Sequence, residues 1–161
     1  MSIWLVRHTR VALPIGLCYG RTEVPLAGSF ARDAQALRAK LPEAIDVVWS
    51  SPAVRCQRLA LTLDRPVKLD ERLWERNFGD WEGKRWESFH GPESDRWSAD
   101  PWNLRPSGGA SGTDLEKRVA AVRQDVQTSA VGRTVVVITH GGVVRAWRRL
   151  VEGVDRDTSM S

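Results

Sequence analysis

Three histidines occur in the 161 residues, and two of them close short apolar runs. His8 follows Ile3–Arg7, and His140 follows Thr134–Thr139. A third apolar run, Ile45–Trp49, leads into Ser50-Ser51-Pro52, with Arg55 one turn further on. Two imidazoles and two guanidiniums, Arg7 and Arg55, thus fall at the ends of three candidate strands. A pair of guanidiniums suits a phosphoryl group, which it can hold through paired N–H donors. A neutral imidazole is a competent nucleophile and can carry that group covalently. The turn Gly141-Gly142 would open a helix and offer backbone N–H groups and a positive dipole end to an anion. The set still lacks a carboxylic acid to protonate a leaving oxygen. Taken singly, a histidine at a strand end is more often a polar cap, and Arg55 would be an ordinary helix surface residue. Their convergence on one edge is what points to a site. His90 stands in an irregular stretch and reads as a surface residue.

Other chemistries find no support in the residues. Gly79-Asp80-Trp81-Glu82-Gly83-Lys84-Arg85 is too short for a phosphate-binding loop and lacks its hydroxyl residue. No His-Glu-x-x-His zinc helix and no Gly-x-Ser-x-Gly nucleophile elbow occur. Neither Cys18 nor Cys56 has an arginine six positions later, so a cysteine-phosphatase loop is absent. Two histidines could meet at a metal, but the adjacent arginines would repel the cation. No metal and no cofactor are expected.

The elements that must position these residues alternate along the chain. Ile3–Arg7, Ile45–Trp49, Pro66–Leu69 and Thr134–Ile138 read as short buried strands. Phe30, Ala34, Leu37 and Leu41 carry a helical period that Pro42 stops. Ser51 and Pro52 read as the N-cap and first position of a second helix. Thr113 and Glu116 form a capping-box signature for a helix through Leu115, Val119, Val122 and Val126. A last helix runs from Gly141 to about Leu150. Residues 86–112 are the least regular, with some helix expected near Glu82–Phe89. Trp4 and Trp49 fall in strands and are expected in the core. Trp86, Trp97 and Trp102 belong to the irregular part and read first as packing of a lid against the body, with stacking on an aromatic group of a ligand, such as a benzimidazole nucleotide, as the second reading. The alternation predicts an α/β fold, a three-layer sandwich with a mainly parallel sheet. In such sheets ligands bind beyond the carboxyl ends of the strands, where the four residues fall.

Composition bounds the rest. The length suits one domain, residues 1–161, at roughly 100–200 residues per domain. The net charge of +4 comes from 24 cations against 20 anions, scattered and interleaved. A nucleic-acid binder would gather its cations in one stripe, so a small anionic substrate is the better reading. No apolar run approaches the roughly 18–20 residues that span a bilayer. The N-terminus fits no signal peptide, and two cysteines make no disulfide framework, so a cytoplasmic protein without membrane association is expected.

Four segments, in order, resemble the histidine phosphatase superfamily, the phosphoglycerate mutase-like proteins. They are Leu5-Val6-Arg7-His8-Thr9, Ser50-Ser51-Pro52-Ala53-Val54-Arg55, Leu73-Trp74-Glu75-Arg76-Asn77-Phe78-Gly79-Asp80-Trp81-Glu82-Gly83, and Thr139-His140-Gly141-Gly142-Val143-Val144-Arg145. The resemblance spans residues 3 to about 150. It implies a metal-independent phosphomonoester hydrolase in which His8 becomes transiently phosphorylated. Arg7, Arg55 and His140 would hold the phosphoryl oxygens, and Glu75 would act as acid and then base, with Glu82 as runner-up. Arg-His-Thr and Cys18-Tyr19-Gly20-Arg21-Thr22-Glu23-Val24-Pro25-Leu26 are similar to the α-ribazole phosphatase branch of cobalamin biosynthesis. That likeness implies substrate contacts at Thr9, Gly20 and Arg21, with Gly141 from the last motif. Sugar-phosphate phosphatases share the Phe78–Gly83 segment and stay as an alternative, as does a non-catalytic phosphate-binding relative. Mutases carry Asn six positions after the nucleophile, where this chain has Pro14, which counts against phosphoglycerate mutase activity. Relatives usually continue past the last helix with further helix and often an edge strand. A homodimer could cover the sheet edge such a strand would occupy.

Overall fold

The computed structural model describes residues 1–153. Residues 154–161, the end of the expected 1–161 domain, lie outside the described residues. Among the described residues four strands and five α-helices follow in the order β1 (Ser2–Arg7), α1 (Phe30–Arg38), β2 (Val47–Ser50), α2 (Val54–Leu61), β3 (Val67–Leu69), α3 (Pro92–Ala99), α4 (Gly112–Ser129), β4 (Thr134–Thr139) and α5 (Gly141–Glu152). The strands form one parallel sheet in the order β1-β4-β2-β3. β4 is therefore central, which is why its Val135–Ile138 run is apolar on both faces.

Alternation along β4 divides the core. Val135 and Val137 pack with Leu115, Val119, Val122 and Val126 of α4 and with Val143 and Trp147 of α5. Val136 and Ile138 face the other way, onto Ala34 of α1 and Cys56, Leu59 and Ala60 of α2. These are the three layers the sequence predicts.

Several local expectations are corrected. Ser51 does not cap α2. That helix starts two residues later, after Ala53, and the Glu23 carboxylate accepts its first free N–H, from Val54, at 3.0 Å. The capping box of α4 is Ser111 with Asp114, two residues before the expected pair, closed by bonds of 3.0 and 2.8 Å. Trp49 is buried, but Trp4 is 41% exposed because β1 is an edge strand among the described residues. The expected helix near Glu82–Phe89 is only the 3-10 turn Trp86–Ser88. The neighbouring α3 is a true helix with Pro92 at its first position and Glu93 and Asp95 in its first turn. Both cysteines are buried and unpaired. Among the described residues no helix is long and apolar enough to cross a membrane.

Candidate active site

Strand register sets the site. Arg7 pairs with Thr139 and Ser50 with Ile138, so His8, His140 and Ser51 leave the sheet together at its carboxyl edge. The His8 and His140 rings meet edge to face, 5.3 Å between centroids. Arg7, His8, Glu75 and His140 line one cavity of about 210 Å3.

Backbone and side-chain partners fix each imidazole. His8 Nδ1 lies 2.7 Å from the Thr9 carbonyl, which can only accept. The proton therefore sits on Nδ1 and the Nε2 lone pair is left bare. Burial lowers the His8 pKa from 6.5 to about 4, and the Arg55 and Arg7 cations add to the effect. His140 is fixed the other way round. Arg55 Nη2 approaches its Nδ1 at 3.3 Å, and a guanidinium only donates, so the His140 proton is on Nε2. That N–H points to Ser51 Oγ at 2.8 Å, with Cys56 Sγ 3.7 Å away. Burial first and Arg55 next lower the His140 pKa to about 2. The Trp74 ring stacks on His140, with planes 5° apart.

Glu75 is placed by backbone alone. Its Oε1 accepts from its neighbour's N–H, that of Arg76, at 2.8 Å, and its Oε2 accepts from Gly142 N–H at 2.9 Å. The segment carrying it is tied to α4 by Arg118, which donates to the carbonyls of Arg72, Trp74 and Glu75. Sequence reasoning missed Arg118, because nothing in the period of α4 marks it apart from a surface arginine.

Arg55 is fully buried and stands behind the cavity wall. Its terminal nitrogens donate to the carbonyls of Gly20, at 2.6 Å, and Thr22, at 3.0 Å. Its Nε is buried with no hydrogen-bond partner among the described residues, as is the Thr9 hydroxyl. Gly20 packs so tightly that a Cβ there would lie 1.8 Å from the Arg76 carbonyl oxygen. Arg21 lies over the Trp74 ring at 5.7 Å, outside the cavity. Gly141 borders Arg7, whose Cζ would be 3.6 Å from a Cβ on that glycine. Glu82, the runner-up acid, is occupied elsewhere: its carboxylate accepts from the backbone N–H groups of Arg21, Thr22 and Phe78 and from the Thr22 hydroxyl. It braces the 20–22 loop. Arg145 also lines the cavity and was not singled out from sequence, although it lies in the quoted His140 segment.

Beyond Glu75 the cavity meets a chamber of about 240 Å3 bordered by Phe78, Trp86, Trp97, Trp102 and Leu115. On the α1 side His8 borders an open basin of about 610 Å3 with Arg10, Asp33 and Lys40. No group of three or more His, Cys, Asp or Glu side chains converges as metal ligands would among the described residues.

Residues 3–160 match the family model of the histidine phosphatase superfamily, branch 1. The chain belongs to that superfamily. Similar proteins include phosphoserine phosphatase 1 of Hydrogenobacter thermophilus, 29% identical over 96% of this chain and 78% of that protein. The adenosylcobalamin/alpha-ribazole phosphatase of Escherichia coli is 29% identical over 89% of this chain and 75% of that protein. The crystal structure of the alpha-ribazole phosphatase from Shigella flexneri superposes with a TM-score of 0.88, at 24% identity, over 99% of this chain and 84% of that one, and shares the fold. As a member of this superfamily the protein is a phosphatase acting on a phosphorylated small molecule.

Proposed function

We propose that the protein hydrolyses phosphate monoesters through a phosphohistidine on His8, with α-ribazole 5′-phosphate as its natural ester. The observation that carries the reading is the bare Nε2 of His8, set by the Nδ1–Thr9 carbonyl bond, in one cavity with Glu75 and Arg7. The His8 Nε2 lone pair forms a bond to phosphorus as the bond to the ester oxygen breaks on the opposite side. Glu75 gives its proton to that oxygen, and the alcohol leaves. Glu75 then takes a proton from water, whose oxygen attacks phosphorus and releases inorganic phosphate and neutral His8. Charge on the equatorial oxygens is met by Arg7 at the rim and by His140, with the Arg55 cation behind it.

The choice of ester is supported by the Cys18-Tyr19-Gly20 segment and by the relative from Escherichia coli named for alpha-ribazole. A second reading, phosphoserine, is favoured by the Hydrogenobacter relative of equal identity. A panel of phosphomonoesters tests the choice. kcat/KM should be highest for α-ribazole 5′-phosphate, and a preference for phosphoserine would replace it with the second reading. Quenching in alkaline detergent during turnover should trap a base-stable, acid-labile phosphoprotein that His8→Ala lacks. A His8→Ala variant with appreciable turnover would remove the mechanism.

A further inference from the structure

Every carbonyl from Arg72 to Glu75 is held by a side chain. That of Leu73 accepts from the Thr139 hydroxyl at 2.7 Å. The other three accept from Arg118, whose Nη1 donates to Arg72, at 2.7 Å, and to Trp74, and whose Nη2 donates to Glu75 at 2.8 Å. Beyond the 3-10 turn Glu71–Leu73 this stretch has no regular structure, so side chains take the place of a hydrogen-bond ladder. A guanidinium can do this because it carries five donors in a fixed fork and accepts nothing.

The consequence falls on the acid. Glu75 Oε1 bonds the N–H of Arg76, on its own stretch, but Oε2 bonds the N–H of Gly142, on α5. The second bond holds only while the 74–76 backbone keeps its distance from α5. α4 and α5 pack together through Val119, Val122, Val143 and Trp147. A side chain on α4 that grips the acid's own carbonyl therefore sets the carboxylate against α5. We infer that Arg118 is the positioning residue of the acid–base group, holding Glu75 where it can serve both proton transfers. Arg118 lies outside the histidine cavity and acts only through Glu75. The inference rests on the phosphohistidine reading above.

A second tie runs from the same stretch to α4 and serves as a control. Arg72 Nη2 meets Asp125 Oδ2 at 2.7 Å, two helical turns beyond Arg118. That pair lies at the surface, where an ion pair contributes little. Arg118 differs because it is desolvated. Burial pulls its pKa down to about 10 and the Arg21 cation adds to this, while Glu75 opposes it, so Arg118 is still a cation at neutral pH. Hydrogen bonds from a buried charged donor are the strong ones.

The test uses Arg118→Met on two esters. For an alkyl phosphate, whose leaving oxygen needs a proton, kcat/KM should fall about 10- to 100-fold. For p-nitrophenyl phosphate kcat/KM should stay within about 3-fold, because that step needs no acid. Its kcat should still fall, because water attack on phospho-His8 needs the base, and a burst of about one p-nitrophenolate per protein should precede the steady state. In a Glu75→Gln background Arg118→Met should cost less than about 3-fold more, since both act through one group. Asp125→Asn should leave every rate within about 2-fold. If Arg118→Met does not fold, Arg118→Lys decides. It keeps the charge, cannot span three carbonyls, and should show the same pattern to a smaller extent. Equal losses on both esters would overturn the assignment. So would a folded variant at full kcat/KM on the alkyl ester, or a full further loss on top of Glu75→Gln. A phosphoprotein missing from the alkaline quench would instead remove the phosphohistidine reading. A leaving-group effect in Glu75→Gln but not in the Arg118 variants removes the inference alone.

Discussion

Replacing Gly142 by alanine separates the position of the acid from the stability of the fold. A Cβ at Gly142 would lie 2.2 Å from Glu75 Oε1 and 3.2 Å from Oε2, where ordinary contact begins near 3.4 Å. The atoms in the way belong to the free end of a flexible side chain, so the carboxylate gives way by about 1 Å and leaves the Gly142 N–H. A displacement of about 1 Å in a reacting group costs on the order of 10²-fold in rate. The whole general-acid contribution is about 10²–10⁴-fold. Stability should hardly change. Alanine inside a helix gains up to about 1 kcal/mol over glycine, which offsets most of the lost N–H bond. The assay is kcat/KM, which reports steps up to release of the alcohol and so isolates phosphorylation of His8. For an alkyl phosphate it should fall about 100-fold. For p-nitrophenyl phosphate, whose leaving group needs no proton, it should fall far less. Glu75→Gln should give the same pattern, and the double variant should be little worse than either single one. An equal loss on both esters, or a folded Gly142→Ala protein at full activity on the alkyl ester, would refute the acid role of Glu75.

Ser51→Ala leaves the buried His140 Nε2–H without its acceptor, which should cost about 1–3 kcal/mol in urea unfolding and lower kcat together with stability. Gly20→Ala drives a Cβ to 1.8 Å from the Arg76 carbonyl oxygen, backbone against backbone, so thermal unfolding should show a loss of about 1–3 kcal/mol or more. Acid should destabilise the protein through its histidines. Folded His8 stays neutral down to about 4, whereas the unfolded group protonates near 6.5, so its contribution is full above 6.5 and is lost as pH falls toward 4. That difference is worth about 3 kcal/mol at pH 4, and His8→Asn should flatten the fall in melting temperature between pH 7 and 4.5.

The sheet and the strand-end residues were legible because both depend on short-range pattern. An apolar run of four to six residues followed by a polar residue is enough to locate the end of a buried strand, and parallel pairing then brings the ends together. What escaped depends on partners distant in sequence. Ser51 has the composition of a helix cap, but Glu23 reaches the helix N-terminus first and frees Ser51 for His140. Arg55 reads as a free clamp until the Gly20 and Thr22 carbonyls occupy its donors. Trp4 looks like core because a strand's neighbours cannot be counted from its own residues. The helix α3 had its own signal in Gly91-Pro92-Glu93, passed over because the surrounding prolines and tryptophans read as irregular.

The same burial that makes the histidines a weakness in acid makes them useful at neutral pH. An imidazole at its ordinary pKa of about 6.5 would be partly protonated near neutrality and would lack a lone pair for that fraction of the time. Burial and the Arg55 and Arg7 cations hold His8 near 4, so its Nε2 is available essentially always at pH 7. In the proposed mechanism the cations that keep His8 neutral also attract the phosphoryl oxygens, so one electrostatic field serves both the empty and the occupied site. His140 sits deeper in that field because β4 is the central strand and β1 lies at the edge. In the proposed mechanism the strand order divides the roles: among the described residues the edge strand β1 presents His8, the proposed nucleophile, to the open cavity, and the central β4 fixes His140 between Arg55 and Ser51.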